Sequence, residues 1–379
     1  MKRVLLVTLE MIPSAVLCGD APLRHLAERG RIEYRSRTPR QLRGRDLRWA
    51  EVVIFVRGDD PASRQAAACA RRSGRYTVYV MDDDLLNIPE GLESSAQYRK
   101  AETQRRIRGV MAECRCLLSP SRNLLEKYGG DFERAERIEE PAMPRDAAAA
   151  GQPGIVKIGF AGSVDRAGDI DKIVSGALRR ILREYRGRVT AEFFGARPEI
   201  VDEFVLRHIP YQRDYEEYGR TMAALGWDLA LAPMPETEFH RCKHYNKFIE
   251  YASCGIPGIY SDVEPYRWAV RDGENGLLCP NTEEGWYAAI RRLVADEPLR
   301  RALGEEALRQ AEGEYSLETV AAAWERLLHS WECEPRDTPE LLRYDAIRAQ
   351  NWLRRGVKKV RELGWRTPRY LWDKWKNRH

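Results

Sequence analysis

The sequence predicts an α/β protein of two parallel-sheet domains facing across a cleft, followed by a basic helical extension. Three observations carry that prediction. Short apolar runs alternate with helical patterns in two successive sets, and such alternation builds strands joined by crossover helices. A stretch rich in Pro, Ala and Gly at 141–153 separates the sets, and after Leu328 the composition turns basic and rich in tryptophan. With 379 residues the chain exceeds one ordinary core, and the pattern divides it at 1–145, 154–330 and 334–379.

The first strand is expected at 4–9. Two basic residues and an apolar run at the N-terminus imitate a secretory leader, but Glu10 and Pro13 break the run, so a buried strand explains it better. Strands at 52–56, 77–81 and 116–119 follow, with helices at 62–72 and 94–112 between them. Beyond the linker come strands at 156–161, 189–194, 228–232 and 256–260, with helices at 171–185 and 215–225. Ligands of open α/β sheets bind beyond the carboxyl ends of the strands, so those loops are where chemistry is sought.

Composition narrows the function classes. Charged residues make up 32% and hydrophobic ones 43%, too polar for a polytopic membrane protein. The eight cysteines are scattered without C-x-x-C spacing, which points to reduced thiols in a cytoplasmic protein. Residues 334–379 carry a balance of +7 against +5 for the whole chain. Leu353, Val357 and Val360 share a helical face there, and Trp352, Trp365, Trp372 and Trp375 add interfacial rings. Two readings follow: 335–379 lies on an anionic membrane surface, on the inner face of the membrane, or the helix packs back on the N-terminal domain. Neither half carries a nucleic-acid signature, so no nucleic-acid partner is expected.

Three places hold candidate chemistry. In the run from Cys242 to Asp262, apolar Phe248, Ile249, Tyr251 and Ala252 indicate a helix, stopped by Gly255 and Pro257. The amides of His244, Tyr245 and Asn246 then sit at its N-terminus, which favours a diphosphate, with Lys243 and Lys247 adding full charge. Glu250, one turn on, is placed to accept both hydroxyl protons of a ribose. Asp82, Asp83 and Asp84 end a strand, where three adjacent carboxylates repel unless they bind, accept hydrogen bonds or stay solvated. In GFAGSVDRAGDID, Gly162 and Ser163 let the backbone approach a phosphate.

From Trp227 to Leu328 the chain resembles the C-terminal half of retaining GT-B glycosyltransferases, family 4, the glycosyl transferases group 1. WDLALAPM, KFIEYASCGIPGIYSD, VEPYRWAVRDGENGLLCPNTEEGWYAAIRRLVADEPLRRALGEEA and YSLETVAAAWERLL follow that family's order. The resemblance implies two Rossmann-like domains, a donor ribose on Glu250 and donor phosphates on the loop before it. It also places Asp82, Asp83 and Asp84 on the acceptor side, opposite the donor. Two positions depart from the family: Cys242 stands where a first Glu is common, and Ser163 where an Arg is common.

The function implied is a hexosyltransferase-like enzyme using a nucleotide sugar, with retention, on a glycan, lipid-linked or protein acceptor in polysaccharide or glycan assembly. Lys243, Lys247 and Asp83 are its expected catalytic residues. No cofactor and no metal are expected, because lysines already serve the diphosphate. The alternative is a non-catalytic GT-B scaffold that binds a partner or a membrane.

Overall fold

The computed structural model describes residues 1–143, 145, 154–351 and 353. The first half forms a sheet of β1 (Lys2–Thr8), β2 (Ile32–Arg37), β3 (Val52–Val56), β4 (Tyr76–Val80), β5 (Cys116–Ser119) and β6 (Arg134–Arg137), in the order β2-β1-β3-β4-β5-β6. The second half forms β7 (Val156–Gly162), β8 (Val189–Gly195), β9 (Arg207–Ile209), β10 (Leu229–Ala232), β11 (Gly258–Ser261) and β12 (Leu277–Cys279), in the order β12-β11-β10-β7-β8-β9. Every pairing is parallel, with Val4 opposite Val52, Val52 opposite Tyr76, and Ile158 opposite Ala191. These are two Rossmann-like domains, as the sequence predicts.

Strands covered on both faces are apolar along their length, which is why the central ones are legible. β3, VVIFV, and β4, YTVYV, are buried throughout. The edge strands β2, β6, β9 and β12 lie beyond the sequence reading. IEYRSR and RAER are polar and partly exposed, and β9 and β12 have three residues each. Two expected helices are divided. That at 94–112 becomes a 3₁₀ stretch, Glu93–Arg99, and a helix, Ala101–Met111, with extended backbone at Lys100 between them. That at 171–185 becomes Ala167–Ile173 and Ser175–Glu184.

The helix Leu317–Ser330, counted with the second half on sequence, lies against the first. Its stripe of Val320, Trp324 and Leu328 is buried with Val4, Ile54 and Val78 of the first sheet, and the chain continues along that domain. Trp331 stacks on Tyr76 with ring centroids 5.2 Å apart. The Glu334 amide donates to the Gly74 carbonyl at 3.0 Å. Gly74 has φ +73°, and a Cβ there would meet the Glu334 carbonyl oxygen at 2.0 Å, so only glycine permits the approach. Leu341 and Tyr344 are buried with Leu42 and Leu47, and Asp345 Oδ1 accepts from the Gly44 amide at 3.1 Å. Residues 334–351 therefore run along the N-terminal domain. Trp352, Val357, Val360, Trp365, Trp372 and Trp375 lie outside the described residues. No described helix is long and apolar enough to cross a membrane.

Candidate active site

The carboxyl ends of the two sheets face one another across a cavity of about 660 Å³. One wall comes from the turns after β1, β3 and β4, the other from those after β7 and β10 and the start of the Asn246–Ala252 helix. The three adjacent carboxylates divide among different surroundings. Asp82 takes Arg57 Nε and Nη2 at 2.6 Å each. Burial alone would raise its carboxyl, and the guanidinium outweighs that, holding it below the usual carboxylate range. Asp83 takes Arg57 Nη2 at 3.0 Å and, across the cleft, Lys243 Nζ at 2.7 Å. Asp84 is fully buried and holds Tyr128 Oη at 2.6 Å, Lys127 Nζ at 3.0 Å and Asn87. The turn aims it away from the cavity, which Asp82 and Asp83 line without it. The acceptor-side expectation for Asp84 is thereby corrected: its oxygens are spent within the first domain.

Glu250 is buried on the other wall, where its Oε2 accepts from Tyr218 Oη at 2.7 Å and from Lys247 Nζ. Lys247 also reaches Tyr218 Oη at 3.1 Å. Lys243 lies over the Phe239 ring at 4.6 Å from its centroid. Both lysines line the cavity, and each already holds a carboxylate that an arriving anion would displace. His244 and Asn246 line it too, joined by a 2.6 Å contact between His244 Nδ1 and Asn246 Oδ1. The helix begins only at Asn246 and has seven residues, so His244 and Tyr245 precede it and lysine charge outweighs its short dipole. Tyr245 does not line the cavity. Its ring packs edge-on against Tyr315, and its hydroxyl donates to Glu139 Oε2 at 2.7 Å.

Gly162 and Ser163 line the cavity on the same wall as Glu250, with Arg166 just after them. Arg166 donates to the Pro233 carbonyl and pairs with Asp169 at 3.2 Å. A side pocket of about 160 Å³ opens past Glu250, lined by Phe194, Tyr211, Tyr215 and Tyr218. Deep in the wall, Cys18 Sγ donates to Glu140 Oε1 at 2.9 Å. Cys18, Asp82 and Glu140 bring ligand atoms within 4.8 Å of one another, but Arg57 already takes both oxygens of Asp82. His240 and His244 do not share a helix, because the turn Glu238–Arg241 ends between them.

Sequence reasoning missed Arg57, Glu139, Glu140 and Tyr218. Arg57 has φ +49°, a left-handed conformation uncommon outside glycine, and only the fold brings it to the Asp82 strand end. Glu139 and Glu140 precede the linker, where no local pattern marks them. Tyr218 sits on the Tyr215–Ala224 helix, 32 residues from Glu250. Cys242 is buried among first-domain residues, close to Phe239.

Residues 247–310 match the family model of the glycosyl transferases group 1. No curated protein matches the sequence. Among solved structures, Anabaena HepE in complex with UDP and glucose is similar at TM-score 0.57 and 14% identity, covering 87% of this chain and 100% of that one. Sucrose-phosphate synthase from Thermosynechococcus elongatus gives TM-score 0.59 and 14% identity, covering 87% and 99%. TarM, known from S. aureus, gives 0.53 and 13%, covering 73% of this chain and 54% of its own, so this chain spans about half the length of TarM. The likeness to these solved structures shows the GT-B fold, and the match to the glycosyl transferases group 1 lies within the second half of the chain, at residues 247–310.

Proposed function

We propose that this protein moves a hexose from a nucleotide-sugar donor to a glycan, lipid-linked or protein acceptor, with retention at the anomeric carbon. The observation that carries the reading is Glu250, buried within the matched segment and held by Tyr218 and Lys247 at the mouth of the side pocket. A ribose on Glu250 would direct its base among Tyr211, Tyr215 and Phe194 and its phosphates toward Gly162 and Ser163. HepE was solved with UDP-glucose, which makes uridine nucleotides the first donors to test.

As the bond to the leaving diphosphate breaks, negative charge grows on the phosphate oxygens. Lys243, Lys247 and Arg166 stabilise that charge more in the transition state than in the ground state. Lys243 must first leave Asp83, which then faces the acceptor hydroxyl. With these cations at the diphosphate, catalysis needs no divalent metal. The reading extends to glycan assembly at the inner face of a membrane, with 354–379 as the basic contact.

Nucleoside diphosphate release from a panel of UDP-, GDP- and ADP-sugars, with and without EDTA, tests the proposal. Release above background that survives EDTA supports it. Release restored only by magnesium or manganese would replace the lysine account with a metal one, and binding without release would favour the non-catalytic scaffold.

A further inference from the structure

Glu140 stands at the end of the first domain, 2% exposed, in the wall of the cleft. Its Oε1 takes the thiol proton of Cys18 at 2.9 Å. Its Oε2 has no hydrogen-bond partner. A buried carboxyl oxygen left bare is costly, and native proteins keep such groups where something else completes them. Four groups face it: Cys18 from the turn after β1, Asp82 from the end of β4, His244 from the loop before the Asn246–Ala252 helix, and Glu250 from that helix. None supplies a donor to Oε2. Cys18 has given its proton to Oε1, and both Asp82 oxygens are taken by Arg57. His244 Nδ1 meets Asn246 at 2.6 Å and stands 3.8 Å from Oε2. Glu250 brings only another carboxyl.

We propose that Glu140 accepts a hydrogen bond from a hydroxyl of the sugar carried by the nucleotide donor, and so reads the sugar and not the nucleotide. The inference rests on the donor reading above. A sugar hydroxyl offers the missing proton, whereas a phosphate offers only acceptor oxygens and is repelled by a carboxylate. Burial raises the Glu140 carboxyl; His244 and the Cys18 hydrogen bond pull it back, Asp82 and Glu250 push it up again, and it comes to about 7. A hydroxyl donating to it favours the ionised form. Sugar-nucleotide affinity should therefore rise with pH through that range, with a proton released on binding near neutrality.

Calorimetric titration of UDP, GDP and ADP, and of UDP-, GDP- and ADP-sugars, into wild type and Glu140→Gln tests this in two buffers of different ionisation enthalpy. The expected result is a loss of about tenfold or more in affinity for the preferred sugar nucleotide, with its parent diphosphate nearly unaffected and the proton release gone. Equal weakening of both ligands would show a structural role and overturn the proposal, as would no change in either. Cys18→Ala leaves the carboxyl in place but removes its hydrogen bond, so the pH midpoint of sugar-nucleotide affinity should move upward; an unmoved midpoint also overturns it. A wild type that binds no nucleotide at all defeats the donor reading itself, a result distinct from binding that ignores the substitution.

Discussion

Asp82, Asp83 and Asp84 are chemically identical neighbours, and their surroundings give them three roles. Asp83 is the one that crosses the cleft, through Lys243 at 2.7 Å. Because the pair is partly exposed, with side chains 23% and 25% accessible, removing it should cost stability no more than about 1 kcal/mol. Asp83→Asn frees Lys243 for a phosphate, so nucleoside diphosphate should bind up to about tenfold tighter while transfer to acceptor falls. Weaker diphosphate binding in calorimetry would refute the clasp. Glu140 yields a prediction in stability. Its folded pKa, about 7, lies above the unfolded value near 4.3. The folded state therefore holds the extra proton between those values, and stability falls as pH rises through them. Glu140→Gln, which has nothing to ionise, should melt above wild type at pH 8, with the gain vanishing near pH 4; a melting difference independent of pH would contradict this. That Lys243, Lys247 and Glu250 lie together on one wall was legible in the sequence because it is local, one short helix and the loop before it. Arg57 and Glu140 were not, because each acquires its role from a strand end far along the chain.

The elements that carry the site are legible in proportion to their burial. β3 and β4 announce themselves by largely apolar runs buried throughout, whereas β6, RAER, pairs at the sheet edge with almost no apolar signal. A less visible coupling joins the linker to the wall that carries Glu250. Arg145 donates to Ser253 Oγ at 3.1 Å and lies near the rings of Tyr215 and Tyr218, 5.5 and 5.9 Å from their centroids. Gly219 leaves room for it, since a Cβ there would come within 1.4 Å of Arg145 Nη1. Gly219→Ala in wild type must displace the Arg145 guanidinium, the far end of a flexible side chain, so it should offset the helix gain of alanine and loosen Tyr218 from Glu250. In an Arg145→Ala background the same change should stabilise by about 0.5–1 kcal/mol, the ordinary helix gain of alanine over glycine. Equal effects in both backgrounds, by chemical denaturation, would sever the coupling.

At the scale of the molecule, the two halves are joined by the linker and by the Leu317–Ser330 helix, which carries the chain back to the first domain. Its segment, YSLETVAAAWERLL, was legible only as a run within the second half, and its destination was not, because an apolar stripe names a buried face and not its partner. Trp331, fully buried and stacked on Tyr76, anchors that return, and Trp331→Ala should cost about 3–5 kcal/mol. Truncation after Asn351 spares these contacts, so it should leave folding and donor binding intact while abolishing flotation with phosphatidylglycerol-rich vesicles, an attraction that weakens with salt. Flotation unchanged by truncation would refute the membrane role of the removed residues. The central claim, that the cleft is a nucleotide-sugar site organised by Glu250, is tested most directly by calorimetry. The best-binding nucleoside diphosphate is titrated into wild type and Glu250→Gln. The account predicts a loss of about 1.5–3 kcal/mol, the range for a hydrogen bond to a charged group; unchanged affinity in a folded variant would contradict it.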